Sequence, residues 1–98
     1  FLYTSKRESF GMPILESMAC GTPVITSKFS CMPEIANEAA ILVDTNDPGK
    51  IGAGIEKILS DEELYNRLVE KGFERAKKYN WDKAAYKMLS IYEEFNPA

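Results

Sequence analysis

The chain has 98 residues, 45% of them hydrophobic, with 12 Lys plus Arg against 15 Asp plus Glu. That length holds one modest core, and a net charge of −3 argues against a nucleic-acid partner. The absence of His excludes a Ser–His–Asp or Cys–His nucleophile and any histidine-bound zinc within the chain.

Phe1-Leu2-Tyr3 is a short apolar, aromatic run that predicts the end of a strand. The chain opens inside that element without Met, so the expectation is a piece of something longer. Residues 4–12 are polar and close on glycine, the composition of a loop. Pro13 suits the first turn of a helix, where its missing N–H costs nothing, and the helix runs through Ile14, Leu15, Glu16, Ser17, Met18 and Ala19. Gly21 is a natural C-terminal cap, and Pro23 cannot continue the helix.

Pro23-Val24-Ile25-Thr26 predicts a second strand, and Pro33-Glu34-Ile35-Ala36 a single helical turn after a loop. Ala40-Ile41-Leu42-Val43 is a third strand, continuously apolar as a sheet covered on both faces requires. Residues 44–48 then turn the chain into a helix with an apolar stripe of Ile51, Ile55, Ile58 and Leu59. Ser60-Asp61-Glu62-Glu63 has the pattern of a capping box starting the next helix on Ser60. Leu64, Leu68, Val69, Phe73 and Ala76 form its predicted buried face, with Gly72 allowing close packing. Asn80-Trp81-Asp82 breaks the pattern before a last helix with Ala85, Met88, Leu89, Tyr92 and Phe95 on one side. Trp81, Tyr86, Tyr92 and Phe95 are expected to pack as core, the usual place for aromatic residues at helical spacing.

Strand, helix, strand, turn, strand and helix imply an α/β fold with right-handed crossovers. Three strands are few, which points to half of a doubly wound domain. Cys20 and Cys31 stand eleven positions apart with no CxxC pair, so they read as reduced thiols of a cytoplasmic protein, Cys20 packed as a small hydrophobe. No apolar run approaches the ~20 residues that a bilayer-spanning helix needs.

The segment from Glu8 to Glu16 carries the chemistry. A loop leaving the C-terminal end of a parallel strand faces the crevice where α/β sheets bind ligands. It runs into a helix whose first amides have no intrahelical acceptors, and these with the positive end of the helix dipole suit a phosphate. Gly11 lets a ligand approach the backbone without meeting a Cβ. Glu16, expected in the first helical turn, is either a dipole partner or an acceptor for a vicinal diol such as a ribose. Glu8, on the strand side of the loop, would address a second polyol. Diphosphate in the middle with a carboxylate at each end is a sensible plan for a nucleotide-sugar.

Glu8-Ser-Phe-Gly-Met-Pro-Ile-Leu-Glu16, followed by Ser17-Met-Ala-Cys-Gly-Thr-Pro-Val24, Pro33-Glu34 and Ala40-Ile-Leu-Val43, resembles the group 1 glycosyltransferases, family 4 of the retaining GT-B enzymes. Asn80-Trp81 before the last helix is also similar to that family's C-terminus. The resemblance covers essentially the whole chain. It implies a partial Rossmann-like, three-layer α/β unit over residues 1–98, with a short parallel sheet and C-terminal helices, forming the second half of a GT-B donor-binding domain.

The resemblance further implies roles. Glu16 would bind the ribose of a UDP-, GDP- or ADP-sugar, and Glu8 would lie beside the transferred sugar as the catalytically important carboxylate. Backbone amides of Phe10, Gly11, Met12, Ile14 and Leu15 would contact sugar hydroxyls and diphosphate. The reaction would transfer a hexosyl group with retention, without a cofactor or metal. The basic pair that clamps the diphosphate and the N-terminal acceptor domain lie outside this chain, which is expected to be inactive alone. In the family the last helix often crosses to the partner domain, which would leave its aromatic face exposed here for self-association. A non-catalytic nucleotide-sugar-binding or scaffold module, and a GT-B epimerase, are the alternatives.

Overall fold

The computed structural model describes residues 1–96. Its elements are β1 (Leu2–Tyr3), α1 (Met12–Ala19), β2 (Val24–Ser27), α2 (Met32–Ala36) with a 3₁₀ turn at Asn37–Ala39, β3 (Ala40–Val43), α3 (Pro48–Ser60), α4 (Glu62–Lys77) and α5 (Trp81–Glu94). The strands form a parallel sheet in the order β1-β2-β3, with Leu2 opposite Ile25 and Ile25 opposite Ile41. When strands are added in one direction, right-handed crossovers put both connections on one face. The packing agrees. Ile14, Leu15 and Met18 of α1 share a cluster with Met32, Ile35 and Ala36 of α2 against Val24. Side chains alternate along a strand, so Ile25 and Val43 belong to a second cluster, with Ile58 of α3 and Leu64 and Leu68 of α4.

Helix α4 ties the two clusters together. Its first half buries Leu64 and Leu68 in the second cluster, and its Ala76 packs against the first. Where it crosses α1, a Cβ on Gly72 would meet Met18 Cγ at 3.2 Å, so the expected close packing is real. Near the end of α4, Arg75 donates through Nε to the Ile35 carbonyl at 2.8 Å and through Nη2 to the Glu34 carbonyl at 2.6 Å. It thereby satisfies carbonyls at the end of α2, a five-residue helix too short to stand alone. Helix α1 ends as expected on Gly21 at φ +76, with Thr22 N–H donating to the Ser17 carbonyl and Gly21 N–H to that of Met18.

Several expectations need correction. Helix α4 starts on Asp61, whose carboxylate accepts from Leu64 N–H at 3.0 Å, while Ser60 is the last residue of α3. The aspartate is the stronger acceptor and α3 leaves no spare residue for a separate serine cap. In α3, Ile58 is buried, but Leu59 is 78% exposed and Ile55 also faces solvent. Phe73 of α4 is exposed too, and so is Cys20 at the end of α1, so neither behaves as core. The largest departure is α5. Trp81 is 80% exposed, and Tyr86, Met88, Leu89, Tyr92 and Phe95 all face solvent. No residue of this helix is buried, and it packs substantially against no other element. The radius of gyration of 16.2 Å, against about 13 Å for a compact chain of this length, reflects this projecting helix.

Candidate functional site

The loop between β1 and α1 turns on Gly11, which sits at φ +90 as the residue before the helix. A side chain there would be strained and would press on Ile14 Cδ1 at 3.3 Å, so glycine is required. Gly11 offers no side-chain cap, and Pro13 has no N–H. The amides of Gly11 and Met12 therefore stand without an acceptor among the described residues. Ile14 is different: its N–H donates to the Gly11 carbonyl at 3.0 Å, which removes it from the expected set of free amides. The side chain of Ile14 is fully buried core, so it can offer only backbone, and that of Leu15 is core with a small edge left at the surface.

Glu16 lies one turn further along than expected, as the fifth residue of α1. Its carboxylate is exposed and has no hydrogen-bond or ionic partner among the described residues. With Phe10, Met12 and Leu15 it forms one wall of a groove of about 690 Å³. The opposite wall comes from the junction of α4 and α5, chiefly Lys78, Tyr79, Trp81 and Lys83. Phe10 meets Tyr79 edge to face, with ring centroids 5.8 Å apart. Arg75 in turn donates to the Tyr79 hydroxyl at 2.9 Å and lies over its ring.

Glu8 stands apart from that groove, at the C-terminal end of β1. Its Oε1 accepts from the Tyr3 hydroxyl at 2.6 Å. That bond holds the Glu8 carboxyl below its ordinary value, with a smaller contribution in the same direction from the Ser5 hydroxyl. The same bond, with partial burial, pushes the Tyr3 hydroxyl up to about 12. Glu8 is therefore a carboxylate at neutral pH, with Oε1 engaged by Tyr3. Its backbone is anchored to the loop after β2 through Ser30 and Cys31. The structure thus brings Phe10, Met12, Leu15 and Glu16 to one groove and sets Glu8 on the other side of the Gly11 turn. No three His, Cys, Asp or Glu side chains gather in a metal-holding arrangement among the described residues.

The family model for glycosyl transferases group 1 matches residues 1–75. The chain belongs to the group 1 glycosyl transferases. Among its relatives, O-antigen chain mannosyltransferase B of Escherichia coli is 34% identical over 95% of this chain and 24% of that protein. The D-inositol 3-phosphate glycosyltransferase of Corynebacterium jeikeium is 33% identical over 96% of this chain and 23% of its own length. Sucrose-phosphate synthase from Thermosynechococcus elongatus superposes with a TM-score of 0.84 at 32% identity, covering 95% of this chain and 25% of that one. The chain thus spans about a quarter of each, and its α/β architecture is that of a GT-B glycosyltransferase.

Within the group 1 frame, the sequence alone missed Tyr3, Ser30 and Cys31 as partners of Glu8, and Tyr79 and Trp81 as the facing wall. Register between β1 and β2 could have found Ser30, since both loops leave the same end of adjacent parallel strands. Tyr79 had no local signal.

Proposed function

We propose that this chain is the second half of the donor-binding domain of a longer, retaining glycosyltransferase that moves a hexosyl group from a nucleotide-diphosphate sugar to an acceptor. The observation that carries the reading is Glu16: an open carboxylate without a partner among the described residues, on a helix whose leading amides at Gly11 and Met12 also lack acceptors. In this reading Glu16 accepts two hydrogen bonds from the ribose diol, and the two amides with the helix dipole meet the diphosphate. The dipole contributes ~0.3–1 kcal/mol, so it orients the anion more than it holds it. Glu8, ionised and fixed by Tyr3, lies beside the transferred sugar, where a carboxylate stabilises positive charge developing at the anomeric carbon.

The basic residues that would offset the leaving diphosphate, and the acceptor domain, are supplied by the rest of the longer protein, and the 98-residue chain alone has no transferase activity. No metal takes part, so transfer by the longer enzyme is expected to survive EDTA; a strict divalent-cation requirement would count against the reading. A cytoplasmic setting goes with it. The exposed face of α5 would also bring copies of the isolated chain together.

The deciding experiment is a 15N-resolved NMR titration with UDP-glucose and GDP-mannose. Shifts centred on the amides of Gly11 and Met12, abolished by Glu16→Ala, are expected. Shifts that persist unchanged in Glu16→Ala would remove the ribose assignment.

A further inference from the structure

We infer that Ser30 and Cys31 are positioning residues: together they clamp the backbone from Glu8 to Phe10 and so set where the Glu8 carboxylate stands against a donor sugar. The inference rests on the donor reading above but on different residues. Ser30 Oγ accepts from Glu8 N–H at 3.3 Å and donates to the Glu8 carbonyl at 3.2 Å. One hydroxyl thus meets both backbone groups of Glu8, as a neighbouring strand would beyond the end of a two-residue β1. Cys31 Sγ lies 3.3 Å from the carbonyls of both Glu8 and Phe10, its single proton shared between them. Glu8 is therefore held at three points: its side chain by Tyr3, its amide by Ser30, and its carbonyl by Ser30 and Cys31.

Backbone geometry supports a functional rather than incidental contact. Ser30 sits at φ +60, a left-handed conformation unfavourable for a residue with a Cβ. Strain of this kind persists where surrounding contacts over-determine it, and such positions gather at ligand clamps. Glycine would relieve the strain but would lose the hydroxyl. The serine keeps the hydroxyl that reaches across 22 positions to the loop.

The clamp acts on the sugar end of the site, whereas Glu16 and the amides of Gly11 and Met12 address the nucleotide end. That division gives a readout that a general loss of structure would not produce. In the full 98-residue chain, affinity is measured by NMR for UDP-glucose against UDP and for GDP-mannose against GDP. The variants are Ser30→Gly, Cys31→Ala and Cys31→Ser, with 15N order parameters recorded for residues 8–10. Ser30→Gly relieves the strain while losing the hydroxyl's two bonds, so its melting temperature is expected to stay near that of the parent.

The expected result is a lower order parameter at residues 8–10 in Ser30→Gly and Cys31→Ala. The preference for nucleotide-sugar over bare nucleotide should fall by roughly tenfold, about 1.4 kcal/mol, while Cys31→Ser, which keeps a donor, stays near the parent. Unchanged order in folded variants would overturn the clamp. So would equal losses for sugar and bare nucleotide, or a mobile loop with an unchanged preference; in both cases the donor reading stands if Glu16→Ala still abolishes binding. If the 98-residue parent binds none of the four ligands, the same titrations are made on the chain extended by the rest of the longer protein; absence of binding there too would sink the donor reading, and the positioning role with it.

Discussion

Helices α4 and α5 are close in length and both carry an apolar stripe, yet they end in opposite circumstances. Helix α4 buries Leu64, Leu68 and Gly72 and joins both clusters; α5 buries nothing. The difference is not in periodicity, which reads equally well in each. It lies in what stands opposite: α4 meets α1, α3 and the turn after α2, whereas α5 leaves the body at Asn80 and only its first turns border the groove beside α1, with no element packed substantially against it. An amphipathic pattern therefore states that a face wants cover, and only the surroundings say whether cover exists.

Truncation should break the comparison open. Leu68→Ala, at 4% exposure in the second cluster, is expected to cost ~2–5 kcal/mol in urea unfolding, while Leu89→Ala on α5 stays within about 0.5 kcal/mol. Comparable losses at the two sites would mean that α5 is packed after all. Next in size is Arg75→Lys. A lysine cannot serve two carbonyls and a phenol from one planar fork, and a loss of roughly 1–3 kcal/mol is expected, measured by the same unfolding curves.

A smaller effect concerns pH. Because the folded-state pKa of Glu8 lies below its unfolded value, its bond to Tyr3 stabilises the fold above the unfolded pKa, and this is lost as pH falls through the folded one. Tyr3→Phe should raise the Glu8 pKa toward its ordinary value, read by carboxyl NMR, and flatten stability across that acid window. Smallest is self-association: sedimentation should become concentration-dependent through α5, and Met88→Glu with Tyr92→Glu should return the chain to monomer. A parent that stays monomeric at every concentration would remove that role from the helix.

Much of the fold was legible in the sequence because its signals are local. The β-branched runs, Gly21 after α1 and Pro48 opening α3 give strand and helix positions to within a residue or two. What escaped is non-local. Ser60 and Asp61 both suit a cap, and only the unbroken run of α3 through Ser60 decides between them. Trp81 and Leu59 look like core until the chain around them is placed. At the site, the Glu8–Glu16 segment was visible as a string, but the string could not say that Ile14's amide is spent on Gly11, nor that Ser30 answers Glu8 from 22 residues away.

The latch made by Arg75 has a consequence for the order in which the chain folds. It joins residues 40 and 41 positions apart, so the end of α2 is complete only when α4 has docked. Contacts of such sequence separation form late, since the intervening loop must close first. The turn that carries Ser30 and Cys31 leads directly into α2, and it should share that timing. Substitution of Arg75 would then speed unfolding more than it slows folding, and the Glu8 loop would be among the last parts of the molecule to reach its place.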